Sequence, residues 1–364
     1  MADGVIVVGT YEGALLGFSA KEGKQKFGYA PHQGCVKALH CNKIGRLVSG
    51  GADHSAKLFD LKLGVELVSL QEHDDTVNCV EFWRTTTLVT GSNDGYVCIW
   101  RCHDWEMLFK FHAHKSAVVS VAVHPSGRIM ASCGRDLSVR LWDLTRGTSA
   151  AHLSIETVAE ALEWSPSGNH IAVLSARELS VLDAKTGDLA KFSDSSVGTF
   201  LHVPLTALLF LTDELVVLGD GKGELRILRF TPGTSSLQVV CSLPAEGNRA
   251  RIKSMTRTTE DDAGVVFVVG TSSGVVEIWR FTAVDGSATD SSTFKQLLEV
   301  NTGARLTCMA AWMEDAVETK ASKRMRMRHR KAAEKSAVTA ATGVKPQKKT
   351  QVRKQNQKGR RRNK

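Results

Sequence analysis

Asp94-Gly95-Tyr96-Val97-Cys98-Ile99-Trp100-Arg101 is one of three stretches of this chain that end in the same way. The other two are Asp53-His54-Ser55-Ala56-Lys57-Leu58-Phe59-Asp60 and Asp136-Leu137-Ser138-Val139-Arg140-Leu141-Trp142-Asp143. In each stretch an Asp stands six residues before an aromatic side chain, and successive aromatic residues are 41 and 42 residues apart. A fixed period near 40 residues indicates a repeat architecture in which each repeat forms one supersecondary unit.

The same position recurs along most of the chain. It is occupied by aromatic or apolar residues at Phe18, Phe59, Trp100, Trp142, Leu182, Leu228 and Trp279. Each repeat contains four short β-rich runs between turn residues, which predicts four strands per repeat. The sequence therefore predicts an all-β, seven-bladed WD40 β-propeller over residues 1–312. The fifth and sixth repeats keep only apolar character here, and the period is the reason for counting them.

Closure of the ring can also be predicted. The chain starts inside a repeat, because residues 5–8 read as a second strand and residues 14–18 as a third. Residues 305–311 would supply the missing first strand from the other end of the propeller. Such a pairing joins the two ends of the ring and leaves no free sheet edge between them.

The charge of the chain is divided unevenly. Residues 320–364 contain eighteen Lys or Arg and one acidic residue, Glu334, which gives +17, whereas the preceding 319 residues carry −8. Residues 313–364 have few bulky apolar side chains and no strand pattern, so a disordered Lys/Arg-rich tail is predicted. A mildly acidic body with a strongly basic tail is typical of proteins with a polyanionic partner.

Basic clusters in the tail are the candidate RNA-binding and nuclear-import residues. They are Lys323, Arg324, Arg326, Arg328, Arg330, Lys331, Lys358, Arg360, Arg361 and Arg362. Such clusters serve as import signals and as phosphate contacts. The tail contains no aromatic residue, so binding is expected to be electrostatic, without base stacking or sequence readout.

Two sets of polar residues recur at the spacing of a structural tetrad, in which His, Ser or Thr, Asp and Trp are joined by hydrogen bonds. They are His73, Thr90, Asp94 and Trp100, followed by His114, Ser132, Asp136 and Trp142. A third set has Phe59 in place of Trp, with His32, Ser49 and Asp53. Ser, His and Asp also make up a nucleophilic triad, but one active site is not built three times. We therefore assign no catalytic residue and expect a non-enzymatic protein.

Cofactor and metal sites are not expected. The eight cysteines form no Cys-x-x-Cys pair, and the histidines form no His-x-x-x-His pair. Reduced thiols in an intracellular protein are the simplest interpretation. The first residues lack the basic and apolar regions of a secretory signal, and no apolar run has the length of a membrane span.

One rim of the propeller is a candidate surface for protein partners. Loops that lead into a blade and turns that hold a tetrad Asp lie on the same rim. The residues expected there are Asp74, Asp75, Asn93, Lys115 and Arg135. The sequence does not distinguish a binding surface from ordinary solvated residues at these positions.

Several motifs in the first half resemble one particular WD40 family. They include Gly50-Gly51-Ala52-Asp53-His54, Glu72-His73-Asp74-Asp75-Thr76-Val77, Ala113-His114-Lys115, His124-Pro125-Ser126-Gly127 and Glu163-Trp164-Ser165-Pro166-Ser167-Gly168. In this order they resemble the p21-activated-kinase-interacting WD40 proteins, which include the yeast maintenance-of-killer member. The resemblance is strongest over residues 30–185 and weaker to residue 312. A basic C-terminal tail is also similar to the family.

This resemblance implies a non-catalytic scaffold in biogenesis of the large (60S) ribosomal subunit and pre-rRNA processing, located in the nucleus and nucleolus. The implied partners are pre-60S assembly factors, ribosomal proteins and pre-rRNA, and the protein is expected to be a monomer within a larger complex. The alternative is a signalling adaptor that binds and negatively regulates p21-activated kinase. A ubiquitin-ligase receptor is disfavoured, because Trp142-Asp143 is not followed by the Trp-Asp-x-Arg arrangement.

Overall fold

The computed structural model describes residues 4–184, 189–193, 203–231, 237–244, 249–261, 264–282 and 294–314. All regular structure in these ranges is β-strand. None of it forms a helix with the length and apolarity needed to cross a membrane. The basic tail predicted for residues 313–364 lies outside the described residues from residue 315 onward.

The strands form seven antiparallel four-stranded sheets, which confirms the predicted seven-bladed propeller. We number the blades in chain order. Blade one contains β1 (Gly4–Thr10), β2 (Leu15–Ser19) and β3 (Gln25–Tyr29), and is completed by β28 (Leu306–Met313). Blade two contains β4 (Val36–Cys41), β5 (Arg46–Gly51), β6 (Ala56–Asp60) and β7 (Val65–Leu70). Blade three contains β8 (Val77–Trp83), β9 (Thr87–Ser92), β10 (Tyr96–Arg101) and β11 (Glu106–His112).

The remaining four blades repeat this order. Blade four contains β12 (Val118–Val123), β13 (Ile129–Gly134), β14 (Ser138–Asp143) and β15 (Thr148–Ser154). Blade five contains β16 (Ala159–Trp164), β17 (His170–Ser175), β18 (Glu178–Asp183) and β19 (Leu189–Ser193). Blade six contains β20 (Leu205–Phe210), β21 (Leu215–Asp220), β22 (Leu225–Phe230) and β23 (Leu237–Leu243). Blade seven contains β24 (Ile252–Asp261), β25 (Gly264–Thr271), β26 (Val275–Phe281) and β27 (Phe294–Asn301).

Burial within a blade follows the position of the strand. In blade three the second strand, β9, is almost wholly buried, whereas the outer strand, β11, alternates between exposed and half-buried residues. This is the pattern of a sheet packed between neighbours on both faces near the centre and reaching solvent at its edge. The turn between β9 and β10 places Gly95 at φ 83°, a conformation that side chains with a Cβ rarely adopt.

Closure of the ring occurs between the two ends of the described chain. Strand β28 pairs antiparallel with β1, from Gly4 opposite Met313 to Thr10 opposite Leu306. The hydroxyl of Thr307 lies within hydrogen-bond distance of two carbonyl oxygens, those of Gly9 and Val36. Because Val36 belongs to β4, the closing strand also contacts blade two. The closing strand thus starts one residue later, and ends two residues later, than the segment 305–311 assigned from the sequence.

Neighbouring blades are joined by hydrogen bonds as well as by apolar contact. Indole N–H groups donate to carbonyl oxygens in the next blade, from Trp83 to Pro125 at 3.2 Å and from Trp312 to Lys43 at 3.1 Å. The core is divided into seven apolar clusters, most of which combine side chains from two adjacent blades. The blades therefore depend on one another for burial, as expected of a closed repeat fold.

Candidate functional site

The polar set of blade three is a connected network. Asp94 Oδ2 lies 3.0 Å from His73 Nδ1, and Thr90 Oγ1 lies 2.8 Å from His73 Nε2. The indole Nε1–H of Trp100 donates to the same Thr90 oxygen at 3.1 Å. Since that oxygen already accepts from the indole, its own hydrogen is available for His73 Nε2, and His73 Nδ1–H donates to the carboxylate.

The set in blade four has the same arrangement. Asp136 Oδ1 lies 2.9 Å from His114 Nδ1, and Ser132 Oγ lies 2.8 Å from His114 Nε2. The indole N–H of Trp142 donates to Ser132 Oγ at 2.9 Å. Burial lowers the pKa of His114 more than the neighbouring Asp136 raises it, which favours the neutral imidazole that this bonding pattern requires.

These hydroxyls are placed for support of the blade rather than for attack on a substrate. Thr90 and Ser132 are both 0% exposed. Each is already engaged by a His and a Trp, so neither hydroxyl is directed at solvent. Burial alone would raise the pKa of Asp94, but hydrogen bonds from His73, Tyr96 and Asp74 outweigh burial and keep that pKa below its usual value.

Blade two contains a shorter version of the network. Asp53 Oδ1 lies 2.9 Å from His32 Nδ1, and Ser49 Oγ lies 2.6 Å from His32 Nε2. Phe59 occupies the tryptophan position and offers no N–H to Ser49. The phenyl ring packs instead against Tyr29, with ring centroids 5.3 Å apart. Blade two therefore exchanges one hydrogen bond for an aromatic contact with blade one.

Blade seven contains an ionic set that the sequence reasoning missed. Trp279 Nε1–H donates to Glu277 Oε2 at 2.8 Å, and Arg249 Nε donates to Glu277 Oε1 at 3.0 Å. The Arg249 guanidinium also lies 5.6 Å from the Trp279 ring centroid. Trp279 was recognised from the period, but its partner lies two residues before it rather than on the neighbouring strand. In the sequence, the only indication of this pairing is that Glu277 stands two residues before Trp279.

Blade five has an apolar set instead of a polar one. Ile155, Val173 and Leu182 occupy the places of the tetrad His, Ser and Trp, and all three pack against one core cluster. Because the His, Ser and Trp positions are apolar together, none of these three positions leaves a buried polar side chain without a partner. This explains how the blade keeps its sheet without the sequence signature.

The candidate rim residues lie beside the tetrad carboxylates. The backbone N–H of Asp74 donates to Asp94 Oδ2 at 3.1 Å, and that of Lys115 donates to Asp136 Oδ2 at 3.0 Å. Asn93 Oδ1 accepts from Asn78 Nδ2. The structure places all five candidates on the rim where the inner strands begin: Asp74, Lys115 and Arg135 exposed, Asp75 and Asn93 half-buried.

A basic sector occupies the same rim on blades seven, one and two. It consists of Lys37, Arg251, Lys253 and Arg305. Burial lowers the pKa of Lys253, and the positive charges of Arg251, Arg305 and Lys37 lower it further. Arg305 lies over the ring of Tyr11, 5.0 Å from its centroid, and that ring is 54% exposed. The propeller thus presents local positive charge although its body carries net negative charge.

Two glutamates join inner strands of successive blades. Glu81 Oε2 accepts the backbone N–H of Val123 at 3.0 Å, and Glu163 Oε2 accepts that of Phe210 at 3.1 Å. Both side chains are half-buried. Burial accordingly raises the pKa of each carboxyl to about 8.

The described ranges contain neither a disulfide bond nor a cluster of side chains suited to a metal ion. All eight cysteines are free thiols, and seven of them are buried. Within the part of the chain that the structure describes, no group of three or more His, Cys, Asp or Glu side chains could hold a metal ion. The candidate RNA-binding residues from Lys323 to Arg362 lie outside that part.

Comparison with known proteins identifies the family. The WD domain, G-beta repeat, matches residues 64–101 and 105–143. A p21-activated protein kinase-interacting protein 1-like protein from Xenopus laevis is 32% identical over 323 residues, covering 86% of this chain and 84% of its own length. The chain belongs to this family. The similarity to the Xenopus laevis protein spans most of both chains.

More distant relatives carry other names. Shk1 kinase-binding protein 15 of Schizosaccharomyces pombe is 27% identical over 335 residues, which cover 87% of this chain and 89% of that protein. Protein MAK11 of Saccharomyces cerevisiae is 24% identical over 352 residues, covering 84% and 82% of the two chains. Proteins similar to this chain over most of its length thus occur in fungi as well as in vertebrates.

Proposed function

We propose that this protein is a non-catalytic scaffold in the assembly of the large (60S) ribosomal subunit and works in the nucleolus. The propeller would bind assembly factors and ribosomal proteins, and residues 320–364 would contact pre-rRNA. The observation that carries the proposal is the charge division, +17 in residues 320–364 against −8 in the rest of the chain. A large polyanion is the partner that such a segment suits best.

The propeller supports this role in two ways. Its recurring Ser/His/Asp sets are buried and mutually hydrogen-bonded, which assigns them to support of the fold. Its basic sector, with Lys37, Lys253 and Arg305 close together, adds a second region at which phosphates would be favoured. Both fit a platform that holds protein and RNA partners together.

A salt titration on RNA tests the nucleic-acid part. Full-length protein and a 1–318 truncation are compared on structured pre-rRNA at two salt concentrations, about 50 and 200 mM. If the tail neutralises about six phosphates, log K against log salt for full-length protein has a slope steeper by about 5 than that of the truncation. Equal slopes and equal affinities would remove the tail from the proposal.

The assembly role is tested in cells. A tagged full-length protein is expected to sediment with pre-60S particles on a sucrose gradient, and the tagged 1–318 truncation to shift toward the light fractions. Absence of the full-length protein from pre-60S fractions would refute the assembly role, whatever the RNA titration shows.

A second candidate function rests on the names of the relatives. Proteins of Xenopus laevis and Schizosaccharomyces pombe are named for interaction with, or binding to, a kinase. A kinase adaptor would need the propeller alone and leaves the basic residues 320–364 without a role, so we rank it second. Binding of the 1–318 truncation to a p21-activated kinase regulatory domain, measured by calorimetry, would favour it.

A further inference from the structure

The interface between blades three and four is filled by stacked rings. Phe109 and Phe111 of β11 lie with ring centroids 5.7 Å apart and planes 13° apart. Phe111 in turn stacks on Trp142 of β14, at 5.1 Å and 20°. Together these rings close the outer part of the gap between two sheets that diverge from the centre of the ring.

The corresponding interface between blades four and five lacks these rings. Strand registers identify the equivalent positions: Val97 opposes Phe111 and Ile99 opposes Phe109, as Val139 opposes Leu153 and Leu141 opposes Ala151. Leu182 stands where the repeat places Trp142. Ala151, Leu153 and Leu182 therefore replace two Phe and a Trp.

An open groove results, which we call the four–five groove. Its volume is about 830 Å³, and its apolar wall includes Leu141, Leu153, Ile155, Trp164, Val173 and Leu182. Leu153 is 42% exposed and Ile129, also in the wall, is 37% exposed. The volume lies within the range of natural ligand sites, about 300–1,000 Å³.

The next interface shows that a missing tetrad does not by itself open a groove. Between blades five and six, Leu228 replaces the tryptophan, but Phe192, Phe210 and Phe230 fill the space and are 2–3% exposed. Ala184 follows β18 at the place that Phe230 occupies in blade six. The four–five groove has thus lost its ring stack without receiving these substitutes.

The charges along the groove are mainly negative. Among the described residues, Glu156, Glu178 and Asp183 line it, against one cation, Lys191. Lys191 is already engaged, with its Nζ 3.1 Å from Glu178 Oε1. Asp183 Oδ2 lies 3.5 Å from His170 Nε2. Positive side chains on an occupant would therefore be favoured at the mouth of the groove.

The outer strand beside the groove is open to pairing. All seven residues of β15 are exposed, and none is charged, whereas β11 carries Glu106 and Lys110. Charged side chains on an edge strand discourage pairing with another chain, and β15 lacks this protection. Its central Ala150 and Ala151 leave room for a second backbone.

We propose that the four–five groove binds an extended segment of a partner protein that places two aromatic side chains in the groove and Lys or Arg beside them. The segment would run along β15 as a fifth strand, with main-chain hydrogen bonds to its edge. Aromatic residues at alternate positions would point to one face, toward blade five. They would restore the ring stack that blades three and four form from their own side chains.

A synthetic peptide tests the proposal with the full-length protein. The probe is Lys-Arg-Leu-Phe-Lys-Phe-Thr-Lys-Arg, which copies the spacing of Phe109 and Phe111, and binding is measured by calorimetry. We expect a dissociation constant on the order of 10 µM. A peptide with both Phe replaced by Ala should bind at least about tenfold more weakly, as expected for loss of two buried rings.

Filling the groove from within provides the decisive variant. Ala151→Phe together with Leu182→Trp introduces the aromatic side chains of the neighbouring interface. This variant should bind the peptide about tenfold more weakly, or weaker still, than the unaltered protein. His152→Phe adds a ring on the opposite face of β15, because His152 opposes Arg140, and serves as the matched control. The affinity of this control variant for the peptide should stay within about twofold of that of the unaltered protein.

The results that overturn the proposal are clear. Absence of peptide binding at about 1 mM, or equal affinity for the filled variant and the unaltered protein, would refute it. If the filled variant does not fold, Glu156→Lys provides the test. Glu156 is exposed, and reversing its charge should lower the affinity for the peptide severalfold at low salt. This inference does not depend on ribosome assembly, because the peptide assay involves neither RNA nor the particle.

Discussion

At the residue scale, the shared hydroxyl of each tetrad decides how much that tetrad contributes. Thr90 serves both His73 and Trp100, whereas Ser49 serves His32 alone among the tetrad positions. Thr90→Ala leaves two buried groups without a partner, and Ser49→Ala leaves one. Since an unsatisfied buried group costs about 1–3 kcal/mol, Thr90→Ala should lower the free energy of unfolding by the larger amount, about 2–5 kcal/mol.

Urea denaturation monitored by fluorescence measures this difference. Thr86→Ala is the control, because Thr86 is exposed and, within the described residues, its hydroxyl lies 3.5 Å from the hydroxyl of Thr87 in a solvent-exposed contact. It should change stability by less than about 0.5 kcal/mol. Equal losses for Thr90→Ala and Ser49→Ala would contradict the two-partner role of Thr90.

The inner-strand glutamates introduce a pH dependence. Glu81 and Glu163 have a pKa of about 8 in the folded protein, whereas a Glu in an unfolded chain has a pKa of about 4.3. Between these values the folded state holds protons that the unfolded state has released. Stability from this source is therefore complete below pH about 4.3 and is lost as the pH rises toward 8.

The paired variant Glu81→Gln with Glu163→Gln should remove this loss. Glutamine keeps an oxygen that can accept the N–H of Val123 or Phe210. Because both side chains are half-buried and therefore partly screened by solvent, we expect a gain of only about 1–3 kcal/mol at pH 8.5, and little change at pH 5.5. Parallel stability curves for variant and unaltered protein between these pH values would show that the carboxyls do not titrate there.

Some of these residues could be predicted from the sequence and others could not. His73, Thr90, Asp94 and Trp100 were found because the set recurs at a fixed spacing. Glu277 was not, because its pairing with Trp279 replaces the recurring pattern instead of repeating it. A hydrogen-bond partner for a buried indole N–H can be recognised from the sequence when it recurs at the same spacing in several blades. Glu277 in blade seven does not recur in this way, so its pairing with Trp279 became visible only in the structure.

At the element scale, β28 joins the two ends of the described propeller. It pairs with β1 across the whole of that strand, and Cys308, Ala310 and Trp312 enter the core shared with blade two. Deletion of residues 304–312 should abolish the cooperative unfolding transition, because it exposes the edge of β1 and opens the ring. Thermal melting followed by circular dichroism measures the effect.

The matched control removes residues outside the propeller. Truncation after residue 318 keeps β28 and should leave the melting temperature within about 2 °C of the full chain. A soluble 304–312 deletion with an unchanged melting curve would show that blade one is stable without its inner strand.

The number of blades was easier to predict than the interfaces between them. The repeat period located blade five at Leu182 even without a tetrad. The size of the gap beside that blade depended on Ala151 and Leu182, which belong to different repeats. Local sequence patterns do not show that Ala151 and Leu182, each smaller than the aromatic residue at the equivalent position, lie on two sides of the same groove.

At the scale of the whole molecule, the ring is held differently around its circumference. Blades two to four contain polar tetrads or a near-complete one, and blade seven has the ionic set of Arg249, Glu277 and Trp279. Blade five has neither kind of network at Ile155, Val173 and Leu182, and it borders the four–five groove. The contact between blades four and five should therefore be the first to open.

Native-state hydrogen exchange tests this asymmetry. Amides of β17 and β18 should exchange through openings about 2 kcal/mol lower in free energy than those of β9 and β10, because local openings require less buried contact to be lost. The Ala151→Phe, Leu182→Trp variant should reduce this difference by filling the gap, while His152→Phe should leave it unchanged. Uniform protection of all four strands would mean that closure at β28 makes the ring unfold as one unit, and that the groove has no effect on where it opens.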